Sequence, residues 1–197
     1  GQKSINSIWN NKFSVLFGDF LFSKSFQLMT KAKSLEAMAS LSQVSSKISE
    51  GEFMQLTHEN NTQISEKEYI EIISLKTAEL FAAAMKIPAI LSGKNSKIIS
   101  NLNKLGLYFG IIFQIMDDYL DYFGEKVTGK VNGKDFYEGK ITLPIILLLK
   151  KASINEIRFT KKIFNKSKRS KSEYIELMKL MEKYKIKDDV KNFSQKY

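Results

Sequence analysis

At 197 residues, with 43% apolar content and no cysteine, the chain is long enough for one domain with a full core, and it excludes disulfides and thiolate metal sites. Its 31 basic and 21 acidic residues give a net charge of +10, which suits nucleic acid, an anionic membrane or a polyanionic small substrate. No run of about 18 apolar residues marks a transmembrane helix, and no signal-peptide pattern opens the chain. The lysines are scattered rather than laid along one helix, and a genome favouring Lys, Ile and Asn would give the same excess. The cluster Lys161 to Lys171 reads as a solvated helix end or linker. Absence of cysteine fits a reducing, cytoplasmic setting.

Two prolines and long stretches of 3.6-residue periodicity predict an all-α protein. Gly1 to Asn11 is polar and reads as a loop. Phe13 to Met29 is an apolar helix. Gly18 inside it costs about 1 kcal/mol relative to Ala, which predicts close helix packing. Asp19 beside it is a partnered buried charge or a site residue. Ser34 caps a second helix to about Leu56, and His58, the only histidine, lies just beyond as a surface residue. Ser65 and Glu68 form a capping box that opens an amphipathic helix to Met85. Its apolar stripe is Tyr69, Ile72, Ile73, Leu80 and Ala84. Lys76 falls on that stripe, where it must meet an anion or snorkel to water. Thr77 adds a hydroxyl beside it.

Asn101 to Tyr122 is the central helix. Gln114, Asp117, Asp118 and Asp121 fall at i, i+3, i+4 and i+7, on one face. Phe113, Ile115, Met116, Tyr119 and Leu120 fill the other faces, so the helix is expected to bury three carboxylates. Two unit charges about 4 Å apart repel by roughly 4 kcal/mol at an effective dielectric of about 20. A cation is therefore expected, and oxygen donors at this spacing suit Mg²⁺ shared with substrate phosphates. The alternative is an idle acidic face in solvent, against which the Ile, Phe and Leu neighbours argue. Gly124 to Lys140 follows, with glycines at 124, 129, 133 and 139 and lysines at 126, 130, 134 and 140. Backbone N–H groups and lysines of this kind can bracket a diphosphate. Lys140-Ile-Thr-Leu-Pro144 starts an apolar helix to about Ala152. From Asn155 the chain is basic and weakly amphipathic, with Tyr174 to Tyr184 its clearest helix.

F-Q-I-M-D-D-Y-L-D, followed by G-K-V-N-G-K-D-F-Y-E-G-K-I-T-L-P, resembles the second aspartate-rich motif and following loop of trans-prenyl diphosphate synthases. S-L-K-T-A-E-L-F is similar to that family's Lys-Thr motif, V-L-F-G-D-F-L to its Gly-Asp helix, and W-N-N-K-F-S-V-L to the run leading into it. The resemblance covers Gly1 to about Leu149. It implies an isoprenoid-synthase-type helical bundle in a single domain over 1–197, with 151–197 a basic helical tail. The implied activity is condensation of isopentenyl diphosphate with an allylic diphosphate to a polyprenyl diphosphate, such as a quinone side-chain precursor. Asp117, Asp118 and Asp121 would hold Mg²⁺ directly or through water. Lys76, Thr77, Gln114, Lys130 and Lys140 would contact the diphosphate, with Lys76, Gln114 and Lys130 catalytic. The resemblance also implies a homodimer, no nucleic-acid partner and, at most, peripheral membrane contact for product release. Family members carry a first aspartate-rich motif and two arginines ahead of the position matching Gly1. The bundle is therefore expected to be N-terminally incomplete: a fragment, or a degenerate or partner-dependent subunit.

Overall fold

The computed structural model describes residues 5–124 and 133–197. Among these residues the fold is all-helical, as expected. One helical turn, α1 (Ile5–Ile8), occupies part of the stretch read as a loop; it is too short to show periodicity. The Asn10 side chain then accepts from Phe13 N and caps α2 (Asn11–Lys31). The expectations for this helix fail. A Cβ at Gly18 would meet nothing within 4 Å, and Asp19 is exposed. The physical reason is that α2 buries no residue in this chain: Leu16, Phe20 and Leu28 stand in the open.

Ser34 caps α3 (Leu35–Thr57), and His58 lies just beyond it, its Nδ1 2.8 Å from the Met54 carbonyl. The Ser65–Glu68 capping box forms and opens α4 (Glu66–Ile73). The helix then widens into a π-helical turn, Ser74–Ala78, before α5 (Glu79–Leu91) continues past Pro88. This turn breaks the stripe read from the sequence. A π turn inserts one residue into the helical register, so the buried positions after Tyr69, Ile72 and Ile73 become Ala78, Ala82 and Ala83. Leu80 and Ala84 are turned outward instead.

The central helix α6 (Ser96–Phe123) packs along α5, the π turn and two later helices, Leu143–Lys151 and Ile186–Ser194. A Cβ at Gly106 would lie 2.6 Å from the Phe81 carbonyl oxygen, so only glycine permits this approach of α6 to α5. Among the described residues α6 is the one helix long and apolar enough to cross a membrane by length and composition. It serves here as the spine of the bundle. It is less buried than its composition predicts: Tyr108, Phe109, Phe113 and Leu120 are exposed, although Phe81 packs against Phe109 and Phe113 and Tyr197 against Tyr108.

After α7 (Lys134–Glu138) come α8 (Leu143–Lys151), with Pro144 in its first turn, α9 (Ile154–Phe164), α10 (Lys171–Lys183) and α11 (Ile186–Ser194). The segment after 151 presents lysines outward but supplies Phe164, Leu177, Met181, Ile186 and Val190, all fully buried, to the core. There they meet Ile115 of α6 and Phe136 of α7.

Candidate active site

A cavity of about 730 Å³ opens beside the C-terminal half of α6. Gln114, Asp117, Asp118 and Asp121 all line it, as one helical face must. Gln55, Lys76, Lys134, Asp135, Glu138, Lys140 and Thr142 complete the wall. The expectation that all three aspartates are buried is corrected. Asp118 is 5% exposed, Asp121 is intermediate, and Asp117 is exposed. The i+1 step between Asp117 and Asp118 turns one toward α4 and the other toward the open cavity.

Asp118 accepts from the Tyr69 hydroxyl at 2.7 Å and from Gln114 Nε2 at 2.9 Å. Gln114 Oε1 in turn accepts from Thr77 Oγ1 at 2.8 Å. A relay of hydrogen bonds thus joins the π turn, α6 and α4. Burial, reinforced by the charge of Asp135, raises the Asp118 carboxyl to about 7. Asp121 accepts from the backbone N–H groups of Lys134 and Asp135, each at 3.0 Å, and so caps the first turn of α7. Burial raises its pKa as well.

Asp135 is a site residue that the sequence reading missed. Burial and the charge of Asp121 raise it to about 6, although Lys140 pulls the other way. Its signal was present as an acid in the first turn of a short helix, but a helix of five residues shows no periodicity. Lys140 Nζ lies 2.7 Å from Glu138 and 3.8 Å from Asp135. Lys76 Nζ donates to Gln55 Oε1 at 2.5 Å and lies 3.0 Å from Glu52. It is neither on the core face nor free: the π turn carries it to the rim, where α3 supplies its acceptors. Glu52 and Gln55 were not anticipated either, because nothing marks them on α3. Lys126 and Lys130 lie outside the described residues.

Among the described residues no group of three His, Cys, Asp or Glu is close enough together to hold a metal ion as it stands. The donor chemistry nevertheless fits Mg²⁺. Asp118, Asp121 and Asp135 all have raised pKa values, and all three face Asp117 across or along one cavity. Burial raises all three first and repulsion from neighbouring acids adds to it; a dication there would offset both, and carboxylate oxygen is its preferred donor. Asp117, with its exposed carboxylate, and Asp121 would hold the ion. Asp118, buried behind Tyr69 and Gln114 where Asp121 is half-buried, would support them.

Residues 1–181 match the family model described as polyprenyl synthetase. The chain is 40% identical over 147 residues to octaprenyl diphosphate synthase of Escherichia coli K12, covering 74% of this chain and 46% of that protein. A polyprenyl synthase from Caulobacter crescentus CB15, solved with calcium and isoprenyl diphosphate, superposes with a TM-score of 0.93. It is 35% identical and covers 100% of this chain and 60% of its own. A decaprenyl diphosphate synthase from Rhodobacter capsulatus gives a TM-score of 0.88 at 38% identity, over 98% and 60% of the two chains. The chain thus spans about half the length of the curated relatives it matches. With residues 1–181 of 197 matched to its model, the chain belongs to the polyprenyl synthetase family.

Proposed function

We propose that this chain provides the diphosphate-ionising wall of a prenyltransferase that joins isopentenyl diphosphate to an allylic diphosphate. The observation that carries this reading is one cavity lined by Asp117, Asp118, Asp121 and Asp135 together with Lys76 and Lys140. Acids alone would serve a cation and lysines alone an anion. Both in one cavity suit a metal-bound diphosphate.

Mg²⁺, when bound, supplies positive charge that offsets the diphosphate and the carboxylates. Lys76 and Lys140 are placed to hold the departing diphosphate as the allylic C–O bond breaks, stabilising charge as it develops. Thr77 and Gln114 fix the rim on which Lys76 stands. The alkene of isopentenyl diphosphate then forms the new C–C bond and loses a proton. Phe113 and Leu120 stand one turn from Asp117 on the exposed side of α6, so an apolar tail leaving the cavity meets apolar wall. The relatives include octaprenyl and decaprenyl synthases at 40% and 38% identity and geranylgeranyl and short-chain synthases at 37%; the slightly nearer long-chain names support a long product, such as a quinone side-chain precursor. The bare apolar length of α2 supports a homodimer or a covering partner. Cysteine-free composition supports a reducing, cytoplasmic setting.

The test is transfer of label from isopentenyl diphosphate into extractable prenyl product, with Mg²⁺ and an allylic diphosphate present. Multiple isoprene additions support the reading. No Mg²⁺-dependent binding of an allylic diphosphate of any length, with no label transferred, would contradict it.

A further inference from the structure

The π turn Ser74–Ala78 carries Lys76 and Thr77, and it is held from two helices by the same device. From α3 comes Gly51, buried, where a Cβ would lie 2.5 Å from Lys76 N and 2.9 Å from Lys76 Cα. One helical turn later on α3, Gln55 Oε1 accepts from Lys76 Nζ at 2.5 Å. From α6 comes Gly110, also buried, where a Cβ would lie 2.5 Å from Ala78 Cα and 2.9 Å from Ala78 Cβ. One turn later on α6, Gln114 Oε1 accepts from Thr77 Oγ1 at 2.8 Å. Each helix therefore presents Gly-x-x-x-Gln: the glycine seats the backbone of the turn, and the glutamine four residues on, on the same face, takes the side chain.

We infer that Gly51 with Gln55 and Gly110 with Gln114 are paired clamps that stabilise the π turn, aim Lys76 at the diphosphate cavity and hold Thr77 against Gln114. The inference rests on the proposed diphosphate reading for its purpose, but not for its mechanics. An isolated helix prefers α geometry, because the wider turn gives up hydrogen-bond geometry. Contacts from outside must favour the π register, and backbone this close to a neighbouring helix leaves no room for the turn to relax. Were the turn to revert to α, Lys76 would rotate by about 100° around the helix. These four are positioning residues, acting through Lys76 and Thr77.

Gly51→Ala is the test, with Gly106→Ala as its control. A Cβ at Gly106 meets backbone just as closely, at 2.6 Å, but on α5 beyond the turn. Both variants should lose thermal stability. Gly51→Ala alone should speed amide hydrogen exchange across 74–79 and weaken binding of inorganic pyrophosphate with Mg²⁺ by about tenfold or more. Should Gly51→Ala fail to fold, the pair Gln55→Leu and Gln55→Glu decides. Leu should reproduce the faster exchange across 74–79, and Glu, which keeps an acceptor for Lys76, should leave it near the native rate. Equal effects of Gly51→Ala and Gly106→Ala on both readouts, or equal exchange across 74–79 in the two Gln55 variants, would overturn the clamp. If the native chain takes up no pyrophosphate, the diphosphate reading fails, while the exchange comparison still decides whether the glycines hold the turn.

Discussion

The Tyr69 hydroxyl donates to Oδ2 of Asp118 at 2.7 Å, joining two residues that are both almost wholly buried. A carboxylate taken from water needs such partners, because an unpaired buried polar group costs about 1–3 kcal/mol. The bond also fixes which aspartate of the acidic face turns inward and so leaves Asp117 to the open cavity.

Tyr69→Phe should therefore lower stability by about 1–2 kcal/mol, a fall in Tm of about 2–8 °C. Tyr122 provides the contrast. Among the described residues its buried hydroxyl has no hydrogen-bond partner, so Tyr122→Phe should leave Tm unchanged or raise it. Thermal unfolding of the two variants side by side checks this. Equal losses would mean that packing, not the bond to Asp118, sets the cost.

The acid cluster gives stability a defined dependence on pH. Asp118 stands at about 7 and Asp135 at about 6 in the folded chain, against an ordinary 3.8. Raised carboxyl values mean that the folded state binds more protons than the unfolded one between those limits, so stability falls as pH rises through that window. Glu156 and Glu173, both held at about 2 by hydrogen bonds, work oppositely, but only below their ordinary value of 4.5. Between about pH 5 and 7 the slope thus belongs to the aspartates. Without divalent ions Tm should drop across that range, and Mg²⁺ should reduce the drop. A Tm that rises from pH 5 to 7 in EDTA would be inconsistent with this electrostatic picture.

Lys76→Ala separates site from scaffold. The lysine is largely shielded yet paired at the rim, with Glu52 half exposed, and partly exposed ion pairs contribute about 0–1 kcal/mol. Tm should move by no more than about 4 °C, whereas pyrophosphate affinity should fall by about tenfold or more. Calorimetry with and without Mg²⁺ reads both. A large drop in Tm with unchanged affinity would make the lysine structural.

Much of this was legible from residue spacing. The acidic face of α6, the Ser65–Glu68 capping box and the all-helical class follow from local rules that operate within a turn or two. What was lost depended on distance or on irregularity. A uniform 3.6-residue period placed Leu80 and Ala84 inward, because the π turn that shifts the register leaves no mark in hydropathy. Gly18 looked like Gly51 and Gly106 in sequence, yet it faces open space while they touch backbone. Burial of three acids was inferred from apolar neighbours, but Phe113 and Leu120 themselves lie exposed. Asp135 could be found only once α7 was seen folded back over Asp121.

Packing far from the acids should also matter. Phe164 of α9 is fully buried and meets Phe136 of α7 edge-on, with ring centroids 5.7 Å apart. Phe164→Ala should cost about 3–5 kcal/mol, and it should loosen α7, which donates backbone N–H groups to Asp121. Hydrogen exchange at Lys134 and Asp135 should then rise more than at α3. Exchange that stays unchanged at α7 would show that the C-terminal core does not support the site.

The most direct measurement is titration of an allylic diphosphate into the chain, with Mg²⁺ and with EDTA, for the native protein and Asp117→Ala. The account predicts binding that requires Mg²⁺ and weakens by about tenfold or more when the exposed carboxylate is removed. Equal affinity in Mg²⁺ and EDTA, or affinity indifferent to Asp117→Ala, would contradict it.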